Sequence, residues 1–270
     1  MMLYNAKNGC VNIAGDEMDY IAFGKGTRVM IMLPGIGDGL KTVKGMAIPF
    51  ALMYRVFAKD FRVYVFSRRR HLPEAYSTRE MARDQILAMD ALGIDQADVI
   101  GVSMGGMIAQ WMAIEHPQRI NKLVLAVTSS RINSILKESV ETWLDYARRG
   151  DYSALMLDSA KRMHTDEYLR RNRWILPVMT KVGTQKSFQR FMTMCNACLE
   201  HSAYEQLTLI KAKTLIVAGG RDKALGAEAS KEMAEKISNN EIRIYEAYGH
   251  AVYEEEPDFN QAIMMYLLNK

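Results

Sequence analysis

Two recurring patterns of apolar and polar residues run along this chain and predict strands and helices. Short continuous apolar runs are typical of strands buried in a parallel sheet, and apolar residues three or four positions apart indicate amphipathic helices. The predicted strands cover residues 11–13, 18–23, 28–33, 62–66, 99–102, 122–127, 214–218 and 241–245. The predicted helices cover residues 48–57, 77–92, 107–115, 226–237 and 252–268. We expect the first two strands to form an antiparallel hairpin. The alternation predicts an α/β fold, a mostly parallel eight-stranded sheet with helices on both faces.

The alternation stops between residues 129 and 208. No convincing strand occurs there, and helical spacing recurs over residues 135–149, 151–163, 166–180 and 185–199. We therefore expect two parts, a core domain of residues 1–128 and 209–270 and a helical insertion of residues 129–208.

Length and composition are those of an ordinary globular protein. The chain has 270 residues, of which 49% are hydrophobic and 24% charged, enough for one large core with an insertion. The net charge of +4 arises from interleaved acids and bases, which argues against a nucleic-acid partner. Three cysteines are too few for a disulfide framework, the first residues lack a signal-peptide pattern, and no apolar run reaches the roughly 18 residues of a membrane helix. We expect a cytoplasmic monomer or homodimer without a membrane partner.

A serine between glycines follows the apolar run of residues 99–102, in the hexapeptide GVSMGG of residues 101–106. The pattern predicts a strand, a sharp turn and a helix, and a serine in such a turn has a strained backbone. Gly101 and Gly105 let the strand and the helix pass closely. The turn lifts the hydroxyl of Ser103 away from the sheet and beside the N–H groups of a helix N-terminus, so Ser103 is the candidate nucleophile.

A serine nucleophile needs a base and a group that orients the base. Of the five histidines, His250 directly follows the last predicted strand and is the candidate base. Asp222 follows the strand of residues 214–218 and is the candidate orienting carboxylate, with a helix N-cap as the alternative role. Because ligands bind at the carboxyl ends of strands in open α/β sheets, these side chains are expected to meet at one edge. His116, at a predicted helix end, is expected to interact with the helix dipole. For His164 and His201, in the helical insertion, a structural or solvated role is favoured, with substrate contact as the alternative, and His71 is the remaining histidine.

Two backbone N–H groups are candidates for an oxyanion hole. One belongs to Met104, directly after the serine, and the other to Ile36, in the glycine-rich loop after the strand of residues 28–33. Pro34 has no N–H and cannot donate. The alternative is that Pro34-Gly35-Ile36-Gly37 is simply a turn.

The hexapeptide at residues 101–106, followed along the chain by Asp222 and then His250, resembles the α/β-hydrolase superfamily over essentially the whole chain. The resemblance implies the fold of that superfamily, with residues 129–208 as its helical cap. It also implies acyl transfer through Ser103, and it requires neither a metal nor an organic cofactor. Many members have a His-Gly pair where this chain has Pro34 and Gly35, which puts the geometry around Ile36 in question.

The favoured function is a serine hydrolase that cleaves a small or medium carboxylic ester, with a small-molecule acyl substrate as partner. Thioester, lactone, amide and carbon–carbon bond hydrolysis stay open, as does a sensor that binds a ligand without turnover. Cap residues are expected to choose the substrate. The residues predicted to contact it are Trp143, Met163, His164 and Trp174.

Two further motifs each have a functional and a purely structural interpretation. The run Ser67-Arg68-Arg69-Arg70-His71 follows a strand end, so it is either a cationic pocket mouth or a solvated loop. Cys195 and Cys198 have C-x-x-C spacing within a helical pattern, which favours core cysteines over a redox or zinc site.

Overall fold

Eight strands form one sheet in the computed structural model, which describes residues 3–174 and 187–269. The strands are β1 (Lys7–Ile13), β2 (Asp16–Phe23), β3 (Arg28–Leu33), β4 (Phe61–Arg69), β5 (Ala97–Val102), β6 (Ile120–Ala126), β7 (Lys213–Gly219) and β8 (Asn240–Tyr245). Most extend beyond their predicted ranges. In β1 and β4, polar end residues continue the ladder of strand pairing although they break the apolar pattern.

The strand order is β1-β2-β4-β3-β5-β6-β7-β8, and only the pairs that involve β2 are antiparallel. The hairpin of β1 and β2 turns at Ala14 and Gly15, which both have positive φ (48° and 84°), as a two-residue hairpin loop requires. The other strand pairs are parallel and are joined by crossovers. The prediction of an eight-stranded, mostly parallel sheet is therefore confirmed, with β2 as the strand that makes it mixed.

The helices within the described ranges are α1 (Ala47–Met53), α2 (Thr78–Ala91), α3 (Met104–Glu115), α4 (Ser134–Arg148), α5 (Tyr152–Met163), α6 (Asp166–Arg171), α7 (Gln189–Leu199), α8 (Glu228–Lys236), α9 (Val252–Glu255) and α10 (Phe259–Leu268). None of them is long and apolar enough to cross a membrane. The start of α2 is set by a capping box, in which Ser77 and Glu80 each accept from the other's backbone N–H.

Several predicted helices differ from the structure. The helix predicted over residues 185–199 begins at Gln189, and residues 185 and 186 lie outside the described residues. The helix predicted over residues 252–268 is divided into α9 and α10, because Pro257 lacks an N–H and disfavours helical backbone in the residue before it. The helix predicted over residues 48–57 ends earlier, at Met53, and a short 3-10 turn follows it. In the helix predicted over residues 166–180, α6 ends at Arg171, and residues 175–186 lie outside the described residues.

The sheet separates two apolar layers because successive side chains of a strand point to opposite faces. In β3, Ile31 and Leu33 pack into the layer formed with α2 and α3, whereas Met30 and Met32 pack into the layer formed with α1 and α10. The loops at the carboxyl ends of the parallel strands are therefore held by packed elements on both sides.

Helices α4 to α7 lie between β6 and β7 in the chain, and we call residues 129–208 the cap segment. Its two ends meet where the N–H of Ala203 donates to the carbonyl of Ser130 (2.8 Å). At the end of α5, the carbonyl of Met163 accepts from the N–H of Ala251 (2.8 Å). The cap segment thus contacts the loop that follows β8, at the carboxyl edge of the sheet.

Candidate active site

Ser103 occupies the turn between β5 and α3 with an unusual backbone conformation, φ 55° and ψ −123°. Such a conformation costs on the order of 1–3 kcal/mol and persists only where the surroundings hold it. The close passage of β5 and α3 explains the need for glycine beside it, since a Cβ on Gly101 would lie 2.5 Å from the carbonyl oxygen of Gly105. The turn predicted from the sequence is therefore present.

Hydrogen bonds hold this turn from both sides. The N–H of Ser103 donates to the carbonyl of Ala126 (2.9 Å), on the neighbouring strand β6. The carbonyl of Ser103 accepts from the N–H of Gly106 (2.8 Å) and from the hydroxyl of Thr128 (2.7 Å). These bonds use the main-chain groups of Ser103 and leave its side chain free to face the cavity.

His250 and Asp222 form a buried pair, with 2.7 Å between Nδ1 of the imidazole and Oδ2 of the carboxylate. Their exposed fractions are 4% and 8%. The other carboxylate oxygen accepts from the N–H groups of Ala224 (2.8 Å) and Leu225 (3.0 Å), so Asp222 is oriented by its own loop. A proton held at Nδ1 by this contact leaves Nε2 as the basic nitrogen.

The electrostatics of the pair favour an ionised carboxylate. Burial by itself raises the pKa of Asp222, but the imidazole of His250 and the two backbone N–H groups lower it, and the pKa of Asp222 lies below its ordinary value. The group beside His250 is thus a carboxylate at neutral pH, which stabilises a positive charge that develops on the imidazole.

Ser103 and His250 line the same cavity, which has a volume of about 330 Å³. The loop after β3 forms one wall, and Gly35 lies so close that a Cβ on it would be 3.7 Å from Oγ of Ser103. The remaining wall is mostly apolar and includes Met46, Phe50, Trp143, Leu155, Met156, Met163, Phe191 and Tyr253. A second, narrow niche of about 20 Å³ adjoins Ser103 and is lined by Met104, Met107, Leu136, Val140 and Cys198 among others.

The two candidate oxyanion donors both begin helical turns beside Ser103. Met104 is the first residue of α3, and Ile36 is the first residue of the 3-10 turn Ile36–Gly39. The first N–H groups of a helical turn have no partner within the turn, so they are available to a ligand. Ile36 lines both the cavity and the niche, and Met104 lines the niche.

The four predicted substrate contacts separate into two groups. Trp143 and Met163 line the cavity that holds Ser103. His164 is absent from its lining, since its Nδ1 lies 3.1 Å from Oε1 of Glu255 and its ring stacks on Tyr168. Trp174 is also absent from the lining, and its side chain is 70% exposed.

A larger and more open cleft of about 930 Å³ lies beside the cavity. His164 and Asp222 line it, but neither Ser103 nor His250 does, so it lacks the candidate nucleophile. Within residues 3–174 and 187–269, no three His, Cys, Asp or Glu side chains are arranged to hold a metal ion. The smaller cavity around Ser103 is therefore the candidate active site.

The run of residues 67–71 does not follow β4, because Ser67, Arg68 and Arg69 belong to that strand. Arg68 is fully buried, so neither a cationic pocket mouth nor a solvated loop describes it, whereas the side chain of His71 is exposed. Its Nη2 donates to the carbonyl of Pro34 (2.6 Å), and its backbone N–H donates to Oδ2 of Asp38 (3.1 Å). Arg190 of α7 also binds that carboxylate oxygen (2.7 Å). Sequence reasoning missed Asp38 and Arg190, although an acid inside a glycine-rich loop was an available signal.

Comparisons with known proteins agree with this architecture. A family model described as the alpha/beta hydrolase fold matches residues 28–257. The chain is 25% identical over 247 residues to 3-oxoadipate enol-lactonase 2 of Acinetobacter baylyi, covering 91% of each. It is 28% identical over 201 residues to 2-hydroxymuconate semialdehyde hydrolase of Pseudomonas putida, covering 73% of this chain and 70% of that one.

Solved structures show the same fold. The chain is similar to an alpha/beta hydrolase enzyme from a Medee basin deep-sea metagenome library, with a TM-score of 0.84 and 20% identity. The similarity covers 97% of this chain and 98% of that one.

Proposed function

The chain belongs to the alpha/beta hydrolase fold family, and from that membership we propose that it is a serine hydrolase that cleaves a carboxylic ester bond in a small or medium molecule. The observation that supports the proposal best is that Ser103 lines the same cavity as His250, whose Nδ1 lies 2.7 Å from the carboxylate of Asp222. A nucleophile, a base and an orienting carboxylate are the groups that acyl transfer through serine requires.

In the proposed mechanism, Nε2 of His250 takes the proton of the Ser103 hydroxyl while Oγ forms a bond to the ester carbonyl carbon. The carbonyl oxygen becomes an oxyanion that accepts hydrogen bonds from the N–H groups of Met104 and Ile36. The bond to the alcohol oxygen then breaks, and His250 gives its proton to that oxygen. Water attacks the acyl carbon, His250 takes its proton, and the proton returns to Oγ as the acid leaves.

The cavity supports a small or medium substrate. Its volume of about 330 Å³ is at the low end of the range for ligand pockets, about 300–1,000 Å³. Because the wall from the cap segment is apolar, the acyl or alcohol group that it contacts is expected to be apolar as well. The enol-lactonase among the relatives supports including cyclic esters in the proposal, and the semialdehyde hydrolase keeps carbon–carbon bond hydrolysis as an alternative reaction.

The direct test is to label the protein with a fluorophosphonate probe and to locate the adduct by mass spectrometry. We expect one adduct at Ser103, none in Ser103→Ala, and hydrolysis of p-nitrophenyl esters that declines as the acyl chain outgrows the cavity. Ser130→Ala is a matched control, since the Ser130 hydroxyl is buried and has no hydrogen-bond partner among the described residues.

Two results would contradict the proposal. Labelling of the Ser103→Ala protein equal to that of the unmodified chain would exclude Ser103 as the nucleophile. Background turnover on esters and lactones, combined with tight stoichiometric binding of one of them, would favour a ligand sensor instead.

A further inference from the structure

The loop that carries Ile36 is rich in glycine and needs anchors from elsewhere in the chain. Glycines at positions 35, 37 and 39 give the backbone many conformations in the unfolded chain, and Pro34 contributes no N–H with which to tie the loop down. An oxyanion donor is useful only if it is held in place before the reaction. The structure contains buried side chains that hold this loop.

Asp38 is the anchor within the loop, with an exposed fraction of 3%. One carboxylate oxygen accepts from the hydroxyl of Ser67. The other accepts from the backbone N–H of Arg68 (3.1 Å) and from Nη2 of Arg190 (2.7 Å). The carboxylate thereby joins the turn Ile36–Gly39 to the end of β4 and to the cap segment.

Arg190 supplies the connection to the cap segment. From the first turn of α7, its Nε donates to the backbone carbonyl of Asp38 (3.1 Å), so it binds both the main chain and the side chain of that residue. Its remaining N–H groups donate to the carbonyls of Arg69 (2.5 Å) and Arg68 (3.2 Å). The planar guanidinium has five N–H donors in a fixed arrangement, which a lysine ammonium cannot reproduce.

The loop is held at both ends, by a hydrogen bond from Arg68 at Pro34 and by the close packing of α7 at Gly39. Nη2 of Arg68 donates to the carbonyl of Pro34 (2.6 Å), two residues before Ile36. At the other end, α7 approaches so closely that a Cβ on Gly39 would lie 2.8 Å from Cα of Phe191. Ile36 therefore lies between two anchored points, and the cap segment is in contact with the second.

We propose that Arg190 is a positioning residue for the oxyanion hole. Through Asp38 it holds the turn Ile36–Gly39 so that the N–H of Ile36 faces the carbonyl oxygen of a substrate bound at Ser103. The docking of α7 on this loop thus sets the geometry of the hole, and the cap segment contributes to the chemical step as well as to substrate choice. This inference rests on the proposed serine hydrolase function.

The cap segment offers a matched control in Arg162. Its side chain is 19% exposed and that of Arg190 is 18% exposed, and each forms charged hydrogen bonds with carboxylates. The guanidinium of Arg162 binds Glu138, Ser139 and Asp158, which all lie within the cap segment. Replacing Arg162 therefore removes a comparably exposed cation from the same segment, and among the described residues Arg162 makes no hydrogen bond to the turn Ile36–Gly39.

The experiment compares Arg190→Met, Arg190→Lys and Arg162→Met on p-nitrophenyl acetate and on the thionoester in which sulfur replaces its carbonyl oxygen. An oxyanion hole favours the oxygen ester, because sulfur is larger and a weaker hydrogen-bond acceptor. We expect Arg190→Met to lower kcat about 10- to 100-fold, below the about 10²- to 10³-fold that loss of a whole donor costs. KM should change less than threefold, and the preference for the oxygen ester should fall. Arg190→Lys should recover part of both losses, and Arg162→Met should retain the preference.

The outcomes separate this inference from the proposed function. If the unmodified protein shows Ser103-dependent turnover and Arg190→Met keeps its preference for the oxygen ester, Arg190 is merely structural and the inference is wrong. If the unmodified protein shows no Ser103-dependent turnover, the proposed function fails and the inference fails with it. Should Arg190→Met not fold, the near-isosteric Asp38→Asn makes the same test, since it removes the charge that Arg190 binds. A retained preference in a folded Asp38→Asn protein overturns the inference equally.

Discussion

Acidification should destabilise this protein through His201, a buried histidine that does not line the cavity around Ser103. The hydroxyl of Thr78 lies 2.8 Å from Nδ1 of His201, and the side-chain oxygen of Gln110 lies 3.4 Å from Nε2. Since the amide group of Gln110 donates to the carbonyl of Ser129, its oxygen is the atom that faces the imidazole. These contacts suit a neutral ring that carries its proton on Nε2 and accepts at Nδ1.

The size of this destabilisation follows from the difference between the pKa of His201 in the folded protein and its pKa in the unfolded chain. Burial lowers the pKa of His201 from 6.5 to about 3. The unfolded chain therefore binds a proton first as the pH falls, so stability is lost from about pH 6.5 downward until the folded pKa is reached. At about 1.4 kcal/mol for each unit below the unfolded pKa, the free energy of unfolding should fall by about 2 kcal/mol between pH 7 and pH 5.

Urea unfolding followed by tryptophan fluorescence at pH 7, 6 and 5 measures this loss. The quantity to compare is the difference in unfolding free energy between the unmodified protein and His201→Gln, because other titrating groups contribute equally to both. That difference should fall by about 2 kcal/mol from pH 7 to pH 5. Thr78→Val serves as a control, since it removes a hydrogen bond but keeps the titrating ring, so the dependence on pH should persist.

A difference that stays constant within about 0.5 kcal/mol across this pH range would refute the reasoning. It would mean that His201 binds its proton equally well in the folded and the unfolded protein, and that burial does not exclude the charged ring.

Two further predictions concern the remaining buried groups. Asp222→Asn should lower kcat about 10⁴-fold, because the imidazole of His250 would lose its correct tautomer. Its circular dichroism spectrum should stay unchanged, since the amide oxygen still accepts from the N–H groups of the loop. A loss of kcat below tenfold would contradict the orienting role. Because Cys10 is exposed, Cys195 is buried, and burial raises the pKa of the Cys198 thiol to about 12, iodoacetamide at pH 7.5 should add one group to the native protein. Mass spectrometry should find three groups after unfolding, matching the three cysteines of the chain, and a second group on the native protein would contradict the buried assignment.

Features that depend on a few neighbouring residues could be predicted from the sequence. The turn at Ser103 was predictable because a strand, a helix and the small residues between them are adjacent in the chain. The break at Pro257 was equally local, and the prediction of one continuous helix there failed to use an available signal. The distribution of the apolar side chains of each strand between two layers also follows, because successive side chains of a strand point to opposite faces of the sheet.

The environment of Arg68 could not be predicted in this way. Its burial depends on Asp38 in another loop and on the approach of α7, and Arg190 is 152 positions from the aspartate that it binds. The composition of an arginine run indicates solvent exposure in general, because a buried guanidinium is costly unless acceptors surround it. The guanidinium of Arg68 donates to the carbonyls of Phe66 and Pro34, and Pro34 is 34 positions away along the chain, so no local sequence pattern indicates that acceptor.

The candidate site likewise has features that the sequence determined and features that only the packing of the elements determined. The sequence by itself determined the eight-stranded α/β fold and the serine in its strained turn, because strand periodicity and turn chemistry act over a few residues. It also determined the order of Ser103, Asp222 and His250 along the chain. Only the tertiary structure decided that the imidazole lies 2.7 Å from the carboxylate, and that His164 and Trp174 lie away from the cavity. Distances between segments depend on how whole elements pack, so hydrophobic periodicity can indicate which face of a helix is buried but not which cavity that face adjoins.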